Sequence, residues 1–434
     1  MSLILNPAII SIVVLCILCI KRVNVLLAIL ISTLLAGILS GMNLDTIMSI
    51  FISGMGGNSE TALSYILLGT FAATMAHSGF TNIISLKITN FVSGKKYLLI
   101  TILGAIAVAS QNIIPIHIAF IPIIIPPLLS TMNSMNIDRR AVASVLTFGL
   151  KMPYITLPVG FGLIFQNLIA DNLIQNGVDV LRTEIWKPLT ILGLAMIVGL
   201  LISLYVFRKP RHYENKLLNI SVFNDKPCNK FTIFTVCIAA LLTFAVQLMT
   251  HSLPLGALVG LGVIFSLRVI PKNKMDCMMN EGIYLMGYIA FVMLVAAGFA
   301  SVLKASGSID SLVNTTISLL PHSIVLTSFI ILLLGLIITI GIGTSFGTIP
   351  ILAVLIVPIC VKLGFNTSQI VLLIAAAAAL GDAGSPASDT TLGPTSGLNA
   401  DGQHNHIYDT CIPTFLHYNI SIILFAIIGI YMLG

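Results

Sequence analysis

Charge is what this 434-residue chain has least of. Asp, Glu, Lys and Arg make up 8% of it, against 57% hydrophobic residues, where a soluble globular chain carries roughly 25% charged residues. Mean hydropathy is +1.06, and apolar runs of about 18 residues or more recur, each long enough to span a bilayer. The scarcity of charge excludes an ordinary soluble domain. The net charge of +6 is a topology signal and not a nucleic-acid footprint. No basic residue precedes the first apolar run, 4–20, and no small-residue cleavage signature follows it, so it reads as a retained first helix and not a signal peptide. No HExxH appears, which disfavours an intramembrane enzyme. The seven cysteines are scattered, mostly within apolar runs. Cys16 and Cys19 form a CxxC, but on an apolar helix this reads as packing.

What is there is a series of membrane segments. Ten spans can be placed, at 4–20, 25–41, 61–79, 141–165, 188–207, 231–250, 254–270, 283–303, 368–392 and 411–433. Two further apolar stretches, 97–130 and 324–360, are too long for one pass through about 30 Å of hydrocarbon. The first is interrupted at Ser110-Gln-Asn-Ile-Ile-Pro115 and the second at Gly341-Ile-Gly-Thr-Ser-Phe-Gly347. Each reads as a re-entrant hairpin or as two full spans. With both as hairpins and the N-terminus outside, sixteen Lys and Arg fall in cytoplasmic segments, four outside, and Lys151 inside the membrane. That asymmetry follows the positive-inside rule. Exchanging a hairpin for two passes leaves the parity unchanged.

The halves look related. Ala76-His-Ser-Gly79 and Lys304-Ala-Ser-Gly307 both end spans. Pro127 and Pro358 both close hairpins, 231 residues apart, and the same offset carries Lys151 onto Asp382. The chain enters these elements from opposite sides in the two halves. The expected architecture is therefore an all-α polytopic protein of the cell inner membrane with two inverted repeats, 1–207 and 231–434, joined by a basic cytoplasmic linker at 208–230. Paired, Gly/Pro-interrupted helices in such repeats are the best sequence pointer to a transporter binding site.

The richest interruption is Leu380-Gly-Asp-Ala-Gly-Ser-Pro-Ala-Ser-Asp-Thr-Thr391. Pro386 cannot continue a helix undisturbed, unwound backbone at membrane depth must line a cavity or be buried in protein, and carboxylates there are costly and functional by default. Four interruptions, 110–115, 149–158, 341–347 and 380–391, should converge near the midplane. They supply Ser110, Gln111, Asn112, Thr344, Ser345, Asp382, Ser385, Ser388, Asp389 and Thr390. Hydroxyls, amides and freed carbonyls are ligands for a hard cation, with Asp382, Thr344 and Ser345 the leading Na+ ligands, although Ser and Thr also simply fill gaps between membrane helices. Lys151 is too deep to snorkel. It pairs with Asp382 as an ion pair that opens for Na+ or a proton, as a clamp for a zwitterion, or as a structural pair. Glu60, at the start of its span, serves either the helix dipole or a proton. Asp401-Gly-Gln-His-Asn-His406, Asp409 and His417 have metal-like residue types at loose spacing and read as a gate or a solvated loop more than a zinc site. His77 and His117 read as packed membrane histidines.

The run Gly381–Thr391, with Asp401-Gly-Gln-His-Asn-His-Ile-Tyr-Asp409 after it, resembles the signature of NhaC-like Na+/H+ antiporter family proteins, within the ion transporter superfamily. The resemblance implies inverted repeats, two re-entrant hairpins and two unwound helices around a central site. Lys151 stands where a purely cation-binding site would place an acid, and related proteins carry amino acids or organic acids. The sequence therefore points to an ion-coupled secondary transporter working by alternating access. Na+/H+ antiport comes first, and Na+- or H+-coupled uptake of a small amino acid or carboxylate second. A channel is disfavoured, because paired hairpins suit an occluded site. No cofactor is expected beyond Na+ or H+ as coupling ion. The expected partners are a small cation or organic substrate and the lipid bilayer, not nucleic acid; a homodimer is one assembly such a chain could form.

Overall fold

The computed structural model describes residues 6–21, 23–79, 94–112, 121–215, 229–250, 252–308, 323–342, 344–386 and 388–434. Regular structure among them is helical, with no strand. The first part runs α1 (Pro7–Ile20), α2 (Val25–Leu39), α3 (Leu44–Met55), α4 (Ser59–His77), α5 (Lys96–Asn112), α6 (Ile121–Ser134), α7 (Arg139–Thr156), α8 (Phe161–Gln175) and α9 (Trp186–Val206). The second runs α10 (Lys230–Thr250), α11 (Leu253–Ser266), α12 (Met275–Ala305), α13 (Ile324–Ile342), α14 (Ser345–Lys362), α15 (Thr367–Ala379), α16 (Asp389–Leu398) and α17 (Ile420–Leu433). Two π-helical turns, His406–Cys411 and Phe415–Asn419, precede α17.

Helices start where a short polar side chain can take the free N–H groups of a first turn. Asn24 accepts from Leu26 N ahead of α2, Asp138 from Arg140 N ahead of α7, and Asn366 forms a capping box with Gln369 ahead of α15. The apolar helices then bury one side and present leucines and isoleucines outward, as Leu194 and Leu201 do on α9. In a helix that spans a bilayer such a face meets lipid.

Five described helical segments are long and apolar enough to cross a membrane, and a sixth if the bent pair α7/α8 counts as one span. The other apolar helices, including α2, α11 and α15, run 10–17 residues. Small residues let the long helices approach closely. On the α4–α12 crossing a Cβ on Gly69 would sit 2.7 Å from the Gly282 carbonyl oxygen.

The boundaries differ from the sequence expectation at three places. α3 was not expected; it is too short for a span and buries Ile47 and Phe51. The first broken helix covers 139–175 and bends by 48° at 157–160, so 149–156 stays helical despite Pro153. Pro153 falls in the last turn of α7, where its missing N–H removes one helical bond, and Leu157 N still closes that turn on the Pro153 carbonyl at 2.8 Å. The second break runs from Leu380 to Ser388, as α15 stops at Ala379 and α16 starts at Asp389. α13 ends at Ile342 and α14 begins at Ser345, so this boundary falls inside the expected interruption. The tip of the 97–130 segment (113–120), His117 and most of the linker (216–228) lie outside the described residues.

Contacts between chain ends agree with the charge count. Lys96 Nζ bonds the Arg208 carbonyl at 3.1 Å, Arg139 pairs with Asp401, and His77 with Glu281. Lys96, Arg139, Arg208, Glu281 and Asp401 are in segments assigned to the cytoplasm, and His77 is near the end of the 61–79 span that leads there. Asp171 pairs with Arg182, Lys304 reaches the Gln175 carbonyl, and Asn6 the Ser308 carbonyl. Asp171, Gln175, Arg182, Lys304 and Ser308 are in segments assigned outside, and Asn6 is at the outer end of the 4–20 span. His77 is thus a half-exposed ion-pair partner, not a packed membrane histidine.

Candidate functional site

The site grows out of the break after α15. When a helix stops, its last carbonyls need new donors. Leu380 N takes the Ala376 carbonyl at 2.8 Å, Thr339 Oγ1 that of Ala377 at 3.1 Å, and Lys151 Nζ that of Ala379 at 2.5 Å. Within the break, Thr390 Oγ1 bonds the Asp382 carbonyl at 3.2 Å, Asn419 Nδ2 that of Ala383 at 3.1 Å, and Thr391 Oγ1 that of Ser385 at 2.5 Å. Two glycines make the path feasible. Gly381 (φ +81°) and Gly384 (φ +110°) adopt angles that L side chains avoid. Gly381 also lies so close to α13 that a Cβ would meet Ile340 N at 2.7 Å.

Between these glycines stands Asp382, 2% exposed. Ser345 Oγ, in the first turn of α14, donates to its Oδ2 at 2.7 Å. Tyr154 OH donates to the same oxygen at 2.8 Å. Ser388, the N-cap of α16, donates to Oδ1 while accepting from Thr390 N at 3.1 Å. Lys151 Nζ is 3.4 Å from Oδ2 and is fully buried. The first residues of two helices, α14 and α16, thus bring hydroxyl donors to the carboxylate. The ammonium adds full charge compensation, which a buried ion needs. Thr147 Oγ1 bonds the Thr390 carbonyl at 2.9 Å, tying α7 to α16 beside the site.

On one side the site is covered by aromatic rings. Tyr154, Phe165, Phe346, Phe161 and Tyr65 pack with centroids 5.1–5.5 Å apart, mostly edge to face. Phe161 and Phe165 are on the first turns of α8. Its far end carries Asn172 and Gln175, which line a polar recess of about 40 Å³ with Asn58 and Lys304.

Of the residues named from sequence, Asp382, Lys151, Ser345, Ser388 and Thr390 come together. Asp389 follows Ser388 directly, its Oδ1 3.5 Å from that hydroxyl. Ser385 instead ties the break to α13 through the Ile340 carbonyl at 3.2 Å. Thr344 is the N-cap residue of α14 but makes no side-chain cap bond. Ser110 and Gln111 are buried at the end of α5, with Ser110 Oγ on the Ala107 carbonyl. The Asn112 side chain lies outside the described ones. Glu60 is exposed in the first turn of α4 and does not reach Asp382. Tyr154 was not foreseen, although its i, i+3 spacing from Lys151 puts both on one helix face. Gly343-Thr-Ser-Phe-Gly347 has the letters of a G-x-S-x-G nucleophile elbow, yet among the described residues Ser345 bonds Asp382 and Tyr154 and no histidine base.

The 401–409 segment is not a solvated loop. Asp401 binds the buried Arg139 guanidinium through both oxygens, at 2.7 and 2.5 Å. Arg139 also donates to the Leu398 carbonyl and stacks on Tyr213. Asp409 pairs with Arg211 at 2.7 Å. Burial raises the pKa of both carboxyls, but the guanidinium each one binds outweighs it and holds them below the usual carboxylate range. His406 bridges Thr395 and the Pro386 carbonyl. Among the described residues no three His, Cys, Asp or Glu are placed to share a metal ion.

A buried, charge-compensated carboxylate at a helix break, in a bundle of apolar helices, defines a multi-pass membrane transporter. Comparison with known proteins gives the family. A Na+/H+ antiporter family model matches residues 145–430, and a second Na+-H+ antiporter family model matches 6–92. An uncharacterized membrane protein of Vibrio parahaemolyticus is 43% identical over 97% of this chain and 98% of its own. The Bacillus subtilis protein named "Putative amino acid transporter YuiF" is 44% identical over 87% of this chain and 88% of its own. The fold is that of the Alcanivorax borkumensis YdaH transporter (TM-score 0.59, 13% identity, 98% of both chains). It is also that of Neisseria gonorrhoeae MtrF, from a class of antimetabolite efflux pumps (TM-score 0.60, 13% identity, 90% of this chain and 85% of that one). The chain belongs to the Na+/H+ antiporter family and is an ion-coupled membrane transporter.

Proposed function

We propose that the chain exchanges Na+ for H+ by alternating access, with Asp382 as the coupling carboxylate. The observation that carries this reading is the Lys151 ammonium, 2.5 Å from the Ala379 carbonyl and 3.4 Å from Asp382. It occupies the place a small cation would take, between a carboxylate and a carbonyl freed by the break. The Ser345 and Ser388 hydroxyls, now donors to Asp382, can rotate to offer oxygen lone pairs instead. In this reading Asp382 is alternately protonated and Na+-bound: the carboxyl proton leaves as Na+ takes the position of the ammonium. When the site faces the other side, protonation releases Na+. Asp389 and Thr390 support the α16 side of the site, and no cofactor takes part.

Two hairpins and an inverted repeat accompany this reading. Its support is a cross-packing of the halves: α6 lies on α16 and α14 lies on α8, so each candidate hairpin arm packs on the second segment of the other half's broken helix. The NhaC-like subfamily is the part of the family that the 381–391 and 401–409 motifs favour.

A second reading has its own observation. Opposite charges from α7 and the break face each other, which suits a zwitterion, and the Bacillus subtilis relative's name points to amino acids. Purified protein in liposomes with an internal pH dye separates the two. Antiport predicts a pH change driven by Na+ or Li+ alone. Amino-acid uptake predicts a change only when an amino acid accompanies the cation. A response to neither would end both readings.

A further inference from the structure

We propose that the cavity between α9 and the π-turn segment 406–420 binds one anionic phospholipid of the cytoplasmic leaflet. The cavity measures about 540 Å³ and is lined by Arg140, Phe207, Tyr408 and His417 at one end and by aliphatic side chains along its length. It belongs to no part of the Asp382 site.

The two ends differ in chemistry. On α9, Ile202 lies one turn deeper than Val206. Across the cavity, Ile420 lies one turn deeper than Leu416. All four are about half exposed. They form an apolar trough that runs from the cytoplasmic end toward the middle of the membrane, the shape that an acyl chain fills. At the trough's head, Asp138 holds the Nε and Nη2 edge of Arg140, at 3.1 and 2.7 Å, leaving the Nη1 edge for a phosphate. The guanidinium is held over the Phe207 ring at 4.6 Å. His417 Nδ1 donates to the Pro413 carbonyl at 2.6 Å, which leaves Nε2 as its outward nitrogen.

Charge selects the headgroup. The two carboxylates that act on Arg140 are both occupied, Asp138 by Arg140 itself and Asp409 by Arg211. Arg208 and Lys209 follow Phe207 directly, and Arg208 stacks on Tyr205 with no carboxylate partner among the described residues. The surplus is positive, at the face the charge count assigns to the cytoplasm, where anionic headgroups lie and basic pockets capture them. A lipid here would also touch the transport machinery from behind. The same segment bonds the Ser144 carbonyl through Tyr418 at 2.5 Å and the Ala383 carbonyl through Asn419 at 3.1 Å.

The test uses the full chain in detergent, with native mass spectrometry and thermal unfolding. Phosphatidylglycerol, phosphatidylcholine and diacylglycerol with identical acyl chains, and glycerol phosphate without chains, are compared. Phosphatidylglycerol should be retained and should raise Tm more than the other three. Arg140→Gln should weaken its binding about fivefold, the factor corresponding to one cation near an anionic headgroup. Leu416→Trp, which fills the trough and leaves every charge in place, should also weaken it. Equal retention of phosphatidylglycerol and phosphatidylcholine, or undiminished binding by both variants, overturns the proposal. So does stabilisation by glycerol phosphate alone, which would mark a phosphate site with no lipid.

Discussion

At the residue level the account turns on one carboxylate and the groups that make its burial tolerable. Removing one partner from a buried ion pair leaves the other uncompensated, which typically costs about 3–5 kcal/mol unless that partner changes its protonation. Lys151→Met therefore distinguishes the roles of the pair. If Lys151 competes with Na+ for Asp382, the variant keeps exchange but its pH profile moves upward, because a carboxylate without a positive neighbour holds its proton to higher pH. If the pair clamps a zwitterion, the variant loses organic-substrate binding and keeps some cation binding. A pH series of Na+-driven flux, beside thermal-shift screening of amino acids, reads both outcomes. An unchanged profile with no amino-acid response would reduce Lys151 to a structural charge. Asp382, Lys151 and Ser345 were legible in the sequence because charged and hydroxyl groups among Gly and Pro at membrane depth have few other uses. Tyr154 was not, since a tyrosine in an apolar helix looks like packing until its partner is known. Arg139 was counted only as a positive loop charge, and nothing local announced that Asp401, 262 positions on, would bury it.

At the level of elements, the breaks are held by backbone geometry as much as by side chains. Gly381 and Gly41 share a positive φ, +81° and +77°, but a Cβ on Gly381 would strike α13 while one on Gly41 would meet nothing. Both Ala variants should lose roughly 1 kcal/mol or more to strain. Gly381→Ala should lose considerably more, and thermal unfolding of the two side by side isolates the packing part. The 401–409 segment should add a pH dependence. Burial pushes the His404 imidazole from its ordinary 6.5 down to about 4, against the pull of Asp409. Its folded value is depressed, so below pH 6.5 the unfolded chain binds the proton first. The stability this provides is intact above 6.5 and is lost as pH falls toward 4. His404→Gln should flatten Tm over that window; an equally steep variant would assign the effect to other groups. Helix existence was readable from apolar runs. The onset of the first break was not, because Pro153 suggested an earlier stop than the last turn of α7 imposes, and α3 was missed because a short amphipathic helix carries no span signal.

For the whole molecule, the expected parity of the chain rests on its basic residues, and the loop-to-loop contacts described above join segments assigned to the same side. Single cysteines at Asn219 and Gln175 test this in whole cells: a membrane-impermeant reagent should label 175 and spare 219, and the reverse pattern would invert the topology. The proposed relation between the halves rests in the sequence on matched Gly, Pro and charge at one offset, because membrane helices share too narrow an alphabet to say more. The central claim is that Asp382 couples ion movement across the membrane. Its most direct test is Asp382→Asn, reconstituted into liposomes with an internal pH dye beside the unaltered chain, with thermal unfolding confirming that both are folded. The account predicts Na+-driven proton flux for the unaltered chain and none for a folded Asp382→Asn. Undiminished flux in the folded variant would contradict it.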